Sequence, residues 1–320
     1  MGICMSTNLG KSSTGWTSGL VSVIVPCFNG EKYIESAIDS LKKQTYPHWE
    51  CIVVSDGSTD GSAKIIEKLA AEDSRIVAII NNINQGVSAC RNEAILKSKG
   101  EYLAFLDADD LWHPEKLQRQ VQVFESYPNA GVVPTASTHI DGDGEPVKSR
   151  KEKAHTDLKQ GRITLIEMLA GDIPFSISTM TRRECVNKVG LFNTSYKIGE
   201  DYELWLRILQ YYEYYYIFDE LLMYRVHDSN ATGNKLRNRE YKIQILEDIK
   251  QSGTWAVDKK AFDYLLQRKY NSLGKLYVRK KRVAKAIQCF EKAKQLSASQ
   301  LQSLKATLWL RYLRFRMPVG

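Results

Sequence analysis

The sequence predicts an α/β protein with a mostly parallel sheet flanked by helices, followed by a C-terminal helical extension. Apolar, β-branched runs alternate with amphipathic segments over residues 20–125. Aspartate or asparagine follows each of these apolar runs. From about residue 238, apolar residues recur at helical spacing to the end of the chain. Uninterrupted apolar strands that alternate with helices are typical of a parallel sheet covered on both faces.

The elements of the first half follow from the spacing of the apolar residues. Strands are predicted where these residues run without interruption, at 20–27, 50–56, 75–80 and 102–107. Helices are predicted where they recur every three or four positions, at 31–44, from about 60, and near 87–98. A fourth helix is predicted at 114–127, with Pro114 in its first turn.

The pattern becomes mixed in the second half. "GVVPTASTHI" (131–140) followed by "DGDGEPV" predicts a hairpin. Helices are predicted at 184–190 and 201–212, and "YYEYYYIF" (211–218) is interpreted as a helix end that continues into a strand. The main domain is therefore assigned to residues 20–237, with one half at 20–125 and the other at 126–237.

The C-terminal extension, residues 238–320, contains one pattern typical of a tetratricopeptide helix pair. The residues that carry it are Tyr270, Leu273, Gly274, Tyr277, Ala286, Phe290 and Ala293. Gly274 and the alanines would allow two antiparallel helices to pack closely. A single pair cannot form a solenoid, so we expect the extension to dock against the main domain.

Charge is distributed unevenly along the chain. The net charge is +8, but residues 251–320 contain 16 Lys and Arg against three Asp and Glu. Such a segment favours an anionic partner, for which a membrane surface, a nucleic acid and an anionic polymer are candidates; the alternative is a solvated helical face. No recognition helix, zinc finger or aromatic-basic signature accompanies the charge, so we expect no nucleic-acid partner.

The composition is that of a cytoplasmic globular protein. No apolar run approaches the about 20 residues that a transmembrane helix needs. Residues 1–19 are rich in Ser, Thr and Gly, lack the features of a secretion signal, and are predicted to be a flexible tail. None of the six cysteines forms a CxxC pair, which is consistent with reduced thiols.

Two aspartates follow the fourth predicted strand in "YLAFLDADDLW" (102–112). Side chains alternate along a strand, so Asp107 and Asp109 point to the same side and can converge beyond the sheet. Carboxylate oxygens suit Mg²⁺ or Mn²⁺, which commonly bridges carboxylates and substrate phosphates. The alternative is an exposed acidic turn before the next helix. Asp110 is assigned a supporting role in the turn.

Polar residues also follow the second strand and open the third helix. Asp56 could accept hydrogen bonds from a nucleobase or a ribose, or form an Asx turn before a helix capped by Asp60. Gly86 would permit close approach of the backbone to a ligand. Arg91 could pair with a phosphate, stabilise the Asp-rich turn, or form a structural salt bridge.

Five stretches, in this order and spacing, resemble the family-2 glycosyltransferases, which have the GT-A fold of nucleotide-diphospho-sugar transferases. They are "VSVIVPCFN" (21–29), "VVSDGSTDGS" (53–62), "NQGVSACRNEAILKSKGEYLAFLDADDLWHPEKL" (84–117), "GEDYELWLRI" (199–208) and "YRVH" (224–227). The resemblance implies a GT-A-like, Rossmann-type sheet over residues 20–237. It does not extend to the tail or to the C-terminal extension.

The resemblance implies a nucleotide site at the first half of the sheet. Pro26 and Asn29 would shape the loop beside the nucleotide, and Asp56 would contact the base, often uracil. Arg91 would help hold the nucleotide, and Gly86 lies in the same motif. Asp107 would contact ribose or metal.

The resemblance implies metal, catalytic and acceptor roles for residues further along. Asp109 would be the principal ligand of Mn²⁺ or Mg²⁺, and His227 matches a position near the diphosphate and metal. Asp201 would be the general base, with Glu200 beside it as a candidate residue of the acceptor side; favourable charge at a helix N-terminus is the alternative for this pair. Trp205 could stack on a sugar ring or belong to the core.

The implied activity is metal-dependent, inverting transfer of a hexose-type sugar from a nucleotide-diphosphate sugar, with UDP as the expected nucleotide. The expected acceptor is a hydroxyl of a glycan or lipid-linked precursor, as in polysaccharide biosynthesis for the bacterial cell envelope. A cytoplasmic protein with peripheral contact at the inner membrane face is consistent with the basic C-terminus.

Two alternatives belong to other functional classes. A nucleotidyltransferase could use the same fold, but "PCFNGEKY" (26–33) has one Gly and one Lys where that class has a Gly- and Lys-rich loop. A non-catalytic interaction protein could act through its C-terminal helices.

Overall fold

The computed structural model describes residues 15–147, 161–163, 178–227, 235–253 and 258–316. The chain forms two compact units, which divide near residue 228. The first unit contains the sheet, and the second contains the described helices from Lys235 onward. The division lies before the predicted boundary at 237/238, which falls inside the first helix of the second unit. Most of the predicted N-terminal tail lies outside the described residues.

The first four strands form a parallel sheet, as predicted. Their order in space is β3–β2–β1–β4. Their bounds are Thr17–Cys27 for β1, Trp49–Asp56 for β2, Ile76–Asn81 for β3 and Gly100–Phe105 for β4. Strand β1 begins before the predicted position, because Thr17 donates its N–H to the carbonyl of Lys99 and extends the ladder with β4.

Four helices follow these strands at the predicted places, with shorter ends. They are α1 (Ile34–Lys42), α2 (Ser62–Glu72), α3 (Val87–Lys97) and α4 (Lys116–Ser126). Asp60 is not the cap of α2, which is Gly61, but Asp60 Oδ1 still accepts from the N–H of Ser62. Pro114 lies before α4 rather than in its first turn, and its carbonyl accepts from the N–H of Thr45.

The second half of the sheet is mixed, in agreement with the mixed pattern of that part of the sequence. Its strands are β5 (Leu111–Trp112), β6 (Ala130–Ile140), β7 (Gly161–Ile163), β8 (Thr179–Arg182) and β9 (Glu213–Arg225). Strand β8 is antiparallel to both β4 and β6, β9 is parallel to β6, and β5 and β7 are antiparallel to β9. The helices are α5 (Arg183–Val189) and α6 (Glu200–Ile208). The predicted hairpin after β6 is a tight turn, with one bridge between Ile140 and Pro146.

A buried lysine begins α4. Lys116 is fully buried, and its ammonium group donates to the carbonyl of Ser178 at 2.9 Å and to Gln120 Oε1 at 3.1 Å. Burial lowers the pKa of Lys116 to about 7. These hydrogen bonds connect α4 to the residue that immediately precedes β8.

The second unit is a group of packed helices. Its members are α7 (Lys235–Ser252), α8 (Lys259–Arg279), α9 (Val283–Gln295) and α10 (Gln300–Arg316). The predicted close helix pair is confirmed, since a Cβ at Gly274 of α8 would lie 2.8 Å from ring atoms of Phe290 on α9. The ring of Trp309 on α10 stacks on Phe290, with centroids 5.5 Å apart. In the part of the chain that the structure describes, no helix is long and apolar enough to cross a membrane.

Candidate functional site

Three aspartates occupy a tight turn at the carboxyl end of β4. The N–H of Asp110 donates to the carbonyl of Asp107 at 3.1 Å, which closes the turn. The side chains of Asp107 and Asp109 are each 30% exposed, whereas Asp110 is buried. The turn therefore presents two carboxylates to solvent and turns the third inward.

The inward carboxylate holds the end of β9. Asp110 Oδ1 accepts from the backbone N–H of Arg225 at 2.9 Å. The guanidinium of Arg225 donates in turn to the carbonyl of Asp109 at 2.8 Å and to the carbonyl of Asp141 at 2.9 Å. Asp110 thus has the predicted supporting role, and Arg225 ties the acidic turn to two other segments.

His227 lies beside Asp109, and its role at a metal stays a prediction. Its Nε2 is 2.9 Å from Oδ2 of Asp109. Its ring stacks on Tyr33 with centroids 5.5 Å apart, and the guanidinium of Arg225 lies over the same tyrosine ring at 4.7 Å. Tyr33, which lies between β1 and α1 immediately before the helix, therefore contacts both His227 and Arg225.

Arg91 joins the acidic turn to α6. Its Nη2 donates to Asp107 Oδ1 at 3.0 Å and its Nη1 donates to Glu200 Oε1 at 2.6 Å. The arginine is only 3% exposed. Among the alternatives for Arg91, the structure shows salt bridges that stabilise the Asp-rich turn; a contact with the nucleotide stays a prediction.

Negative charge is in excess around the turn. Burial raises the pKa of Asp107. The positive charge of Arg91 opposes this increase, and the negative charge of Asp109 adds to it. Burial also raises the pKa of Asp110 well above its usual value, with repulsion from Asp107 and Asp109 adding to the effect. Burial disfavours the charge of Arg91, but attraction to Asp107, Glu200 and Asp201 outweighs burial and raises the pKa of Arg91.

Asp201 lies in the first turn of α6. Gly199 precedes this helix with a left-handed φ of +82°, which a glycine adopts without strain. Asp201 Oδ1 accepts from the N–H of Tyr202 at 2.7 Å, and the side chain is partly exposed. Its neighbour Glu200 is buried and paired with Arg91. The first turn of α6 therefore presents Asp201 and retains Glu200 inside.

The suggestion that Trp205 stacks on an acceptor sugar is wrong. Trp205 is completely buried and packs edge-on against Phe105 and Phe192, with ring centroids 5.7 and 6.5 Å away. It belongs to the core beneath α6, which was the alternative that its helical spacing left open.

Asp56 closes the loop before α3. Its two oxygens accept from the N–H groups of Gln85 at 2.7 Å and Gly86 at 2.9 Å, and the residue is buried. Gly86 has a φ of +91°, and a Cβ there would have open space around it. Asp56 therefore shapes the loop between β3 and α3, at the carboxyl ends of the parallel strands, and its contact with a base stays a prediction.

The loop after β1 is tied to the loop after β2. Pro26 pairs with Val54 near the end of β1. Asn29 has a φ of +50° and accepts through Oδ1 from the N–H of Thr59 at 2.8 Å, while its own N–H donates to Ser58 Oγ. Asn29 thus shapes this loop, as the resemblance implies, and the nucleotide beside it stays a prediction.

Sequence reasoning missed Tyr33 and Arg225. The available signal for Arg225 was its place in "YRVH", two residues before His227, where strand alternation directs both side chains to one side. Tyr33 carries no motif, and its partners lie about two hundred residues further along the chain.

The donor set is suited to a divalent cation that arrives with a phosphate ligand. Within the described ranges, no three or more His, Cys, Asp and Glu side chains are placed so that together they could hold a metal ion. Asp109, Asp107 and His227 nevertheless offer oxygen and nitrogen donors beside excess negative charge. Mg²⁺ and Mn²⁺ commonly take one or two carboxylates and complete their coordination with substrate phosphates and water. These side chains would therefore supply only part of the coordination of such a cation, and a bound phosphate would supply more of it.

Comparison with known proteins decides the family. The protein-family sequence model described as Glycosyl transferase family 2 matches residues 22–190, more than half of the chain. The chain belongs to this family. The resemblance stated from the motifs is thus confirmed, and membership in a glycosyltransferase family sets the nucleotidyltransferase alternative aside.

Two bacterial relatives of this glycosyltransferase illustrate the family. A teichuronic acid biosynthesis glycosyltransferase of Bacillus subtilis, named TuaG, is 31% identical over 247 residues, covering 76% of this chain and 94% of the relative. An Escherichia coli relative is 29% identical over 233 residues, covering 72% of this chain and 86% of its own length. The latter is named UDP-Glc:alpha-D-GlcNAc-diphosphoundecaprenol beta-1,3-glucosyltransferase.

Solved structures of glycosyltransferases confirm the GT-A fold. S. aureus TarS 1–349 in complex with UDP-GlcNAc matches with a TM-score of 0.67 at 21% identity, over 91% of this chain and 88% of that one. A mannosyltransferase of Pyrobaculum calidifontis in complex with GDP-Man and Mn²⁺ matches with a TM-score of 0.61 at 21% identity, over 92% of this chain and 80% of that one.

Proposed function

We propose that this family-2 glycosyltransferase catalyses metal-dependent, inverting transfer of a hexose-type sugar from a UDP-sugar to a hydroxyl of a glycan or lipid-linked acceptor. The observation that carries the proposal is the link between Asp107, Arg91 and Glu200. The Asp-x-Asp turn and helix α6, which carries Asp201, are both bound to the buried guanidinium of Arg91. The proposed leaving-group site and the proposed base thus share one support.

The donor would bind at the carboxyl ends of β1 to β4. Asn29 and Gly86 lie on the loops that follow β1 and β3, and Asp56 ends β2, at the end of the strands where ligands bind in open α/β sheets. A solved relative by fold, TarS, is in complex with UDP-GlcNAc, and the E. coli relative is named for UDP-Glc. These two relatives support UDP as the nucleotide.

Asp109, Asp107 and His227 would hold Mn²⁺ or Mg²⁺. The cation would stabilise the negative charge that develops on the departing diphosphate. The protein contributes the positions of these donors: Arg225 fixes the backbone of Asp109, Tyr33 stacks on His227, and Arg91 orients Asp107.

Asp201 would act as the general base. Inverting transfer requires removal of a proton from the acceptor hydroxyl as that oxygen attacks the anomeric carbon, on the face opposite the diphosphate. A carboxylate at the N-terminus of a helix is stabilised in its ionised form, which is the form that accepts the proton. Glu200 is paired with Arg91, so within this "ED" pair the more exposed Asp201 is the better candidate.

The acceptor side would be formed by the second half of the first unit. The names of the relatives favour a cell-envelope glycan or a polyprenyl-diphosphate-linked sugar. A lipid-linked acceptor would require peripheral contact with the inner face of the membrane, for which the basic C-terminal region is the candidate.

The central experiment measures UDP release and linkage stereochemistry. Purified protein is incubated with UDP-glucose or UDP-GlcNAc, Mn²⁺ and GlcNAc-diphosphoundecaprenol, and the anomeric configuration of the product is read by NMR. We expect UDP release and a β-linked product from the α-linked donor. A product with retained configuration would contradict the inverting mechanism.

Replacement of the proposed base separates catalysis from binding. Asp201→Asn is expected to lower the rate of transfer by about 10²- to 10⁴-fold, the usual contribution of a general base, with unchanged affinity for UDP by calorimetry. Asp39→Asn, on the exposed side of α1, is the matched control and should transfer at the wild-type rate. Transfer by Asp201→Asn at the control rate would remove Asp201 from this role.

A further inference from the structure

The outer face of α10 exposes a stripe of apolar side chains. Leu304, Leu308 and Tyr312 are 49%, 55% and 48% exposed. Their spacing of four residues places them along one side of the helix. The inner side is different, because Ala306 and Leu310 are buried within the second unit. Helix α10 therefore has one apolar side that the bundle covers and another that it leaves in water.

Cations border this stripe on both sides. Lys305 and Arg311 are exposed, and at 3.6 residues per turn they fall on opposite edges of the stripe. Elsewhere in the second unit, the end of α8 and the turn before α9 carry four consecutive exposed cations, Arg279 to Arg282. An apolar stripe bordered by Lys and Arg is the arrangement of a helix that lies in the plane of a membrane interface.

We propose that the stripe Leu304–Leu308–Tyr312 inserts into the interface of an anionic lipid surface, with Lys305 and Arg311 contacting phosphate headgroups. This inference builds on the peripheral membrane contact proposed above and assigns it to one face of one helix. The apolar side chains enter the headgroup and acyl boundary, while the long cationic side chains extend back toward the phosphates.

A lipid surface fits the stripe better than a second copy of the chain. A stable protein interface buries about 800 Å² on each partner, and three partly exposed side chains supply only a fraction of such an area. A second copy would also bring an equally basic segment, since residues 251–320 hold 16 Lys and Arg against three Asp and Glu. Anionic headgroups, in contrast, complement that charge.

The test compares binding of full-length variants to sedimented vesicles. Wild-type protein should bind vesicles of phosphatidylcholine with 30% phosphatidylglycerol, and should bind pure phosphatidylcholine weakly. Combined Leu304→Ser, Leu308→Ser and Tyr312→Ser should weaken binding to the anionic vesicles by about tenfold or more, because the stripe contributes burial as well as charge. The matched control is Ile83→Ser with Leu96→Ser, which removes exposed apolar side chains from the first unit.

A charge-reversal pair separates the stripe from the general basic charge. Lys305→Glu with Arg311→Glu should weaken binding more than Lys259→Glu with Lys260→Glu, which makes the same change in net charge at the start of α8. Equal losses for the two pairs, or unchanged binding of the triple serine variant, would overturn the proposal. So would sedimentation equilibrium showing a wild-type dimer that the triple serine variant lacks.

A reporter at the stripe keeps the test decisive if the triple variant does not fold. An environment-sensitive dye attached to Leu308→Cys, in a Cys4→Ser background, should shift its emission to the blue on anionic vesicles. The same dye on Ser272→Cys, exposed on α8, should not shift. UDP affinity and transfer to a detergent-dispersed acceptor should stay at wild-type values, so loss of membrane docking is distinguished from failure of the proposed catalytic function.

Discussion

Replacement of Arg91 by alanine removes the buried cation that contacts both Asp107 and Glu200. The two carboxylates are then left close together without their shared partner, and Glu200 is almost inaccessible to water. Loss of one partner of a buried ion pair costs about 3–5 kcal/mol of folding free energy, mostly because the remaining charge is buried unpaired. We therefore expect Arg91→Ala to lower the stability of the first unit by about this amount.

The chain provides a matched control in Arg119. Its Nη2 lies 2.5 Å from Asp219 Oδ2, but the two side chains are 46% and 51% exposed. Exposed ion pairs contribute about 0.2–1 kcal/mol, since water already solvates both charges. Arg119→Ala should thus destabilise the protein by at least about 2 kcal/mol less than Arg91→Ala.

Urea unfolding followed by tryptophan emission measures the difference, because four of the six tryptophans precede residue 228 and report on the first unit. Arg91→Lys should fall between wild type and Arg91→Ala, since an ammonium group lacks the fork that reaches two carboxylates at once. If Arg91→Ala destabilises no more than Arg119→Ala, the buried link is not a structural element of the site.

Three further predictions concern other parts of the chain. Burial lowers the pKa of Lys116 to about 7, so above that pH the unfolded state binds more protons than the folded state. The stability of wild type relative to Lys116→Met, measured by urea titration, should therefore rise from pH 7 to 9 by at most about 1.4 kcal/mol per pH unit. Gly274→Val should destabilise the second unit by about 1–3 kcal/mol through its clash with Phe290 and raise hydrogen exchange in α8 and α9, whereas exposed Ala284→Val should not. EDTA should abolish sugar transfer and Mn²⁺ restore it, and Asp109→Asn should raise the half-saturating Mn²⁺ concentration about tenfold or more; full activity in EDTA would contradict metal dependence.

Local patterns predicted the first half of the fold well. Apart from the short strand β5, the strands and helices at residues 20–127 follow directly from runs and spacings of apolar residues, and the polar residues after each strand mark the end of the sheet where the candidate site lies. These features depend on neighbours within one or two helical turns, which the sequence displays. The helix pair around Gly274 was predictable for the same reason.

Features that depend on distant pairings were not predictable. Strand β8 lies between β4 and β6, although β6 precedes it in the chain, and no local period encodes this order. Arg91 and Glu200 are 109 residues apart, and the sequence left both phosphate and carboxylate open as partners of the arginine. Periodicity alone did not decide whether Trp205 is a core residue or a surface residue. A helix that covers a sheet buries one side and exposes the other, and an aromatic residue can lie on either side.

The contact between Asp110 and Arg225 has a consequence for how the enzyme is made. The two residues are 115 positions apart. At about 5–20 residues per second, a ribosome therefore makes the acidic turn roughly 5–25 seconds before it makes Arg225. Strands β1 to β4 are complete by then and can already pair. Strand β9 is the last of the described strands to be made, and its end brings Arg225, followed by His227, to the aspartates. A nascent chain can therefore pair the parallel part of its sheet early, whereas the candidate site is completed only when synthesis of the first unit is nearly finished.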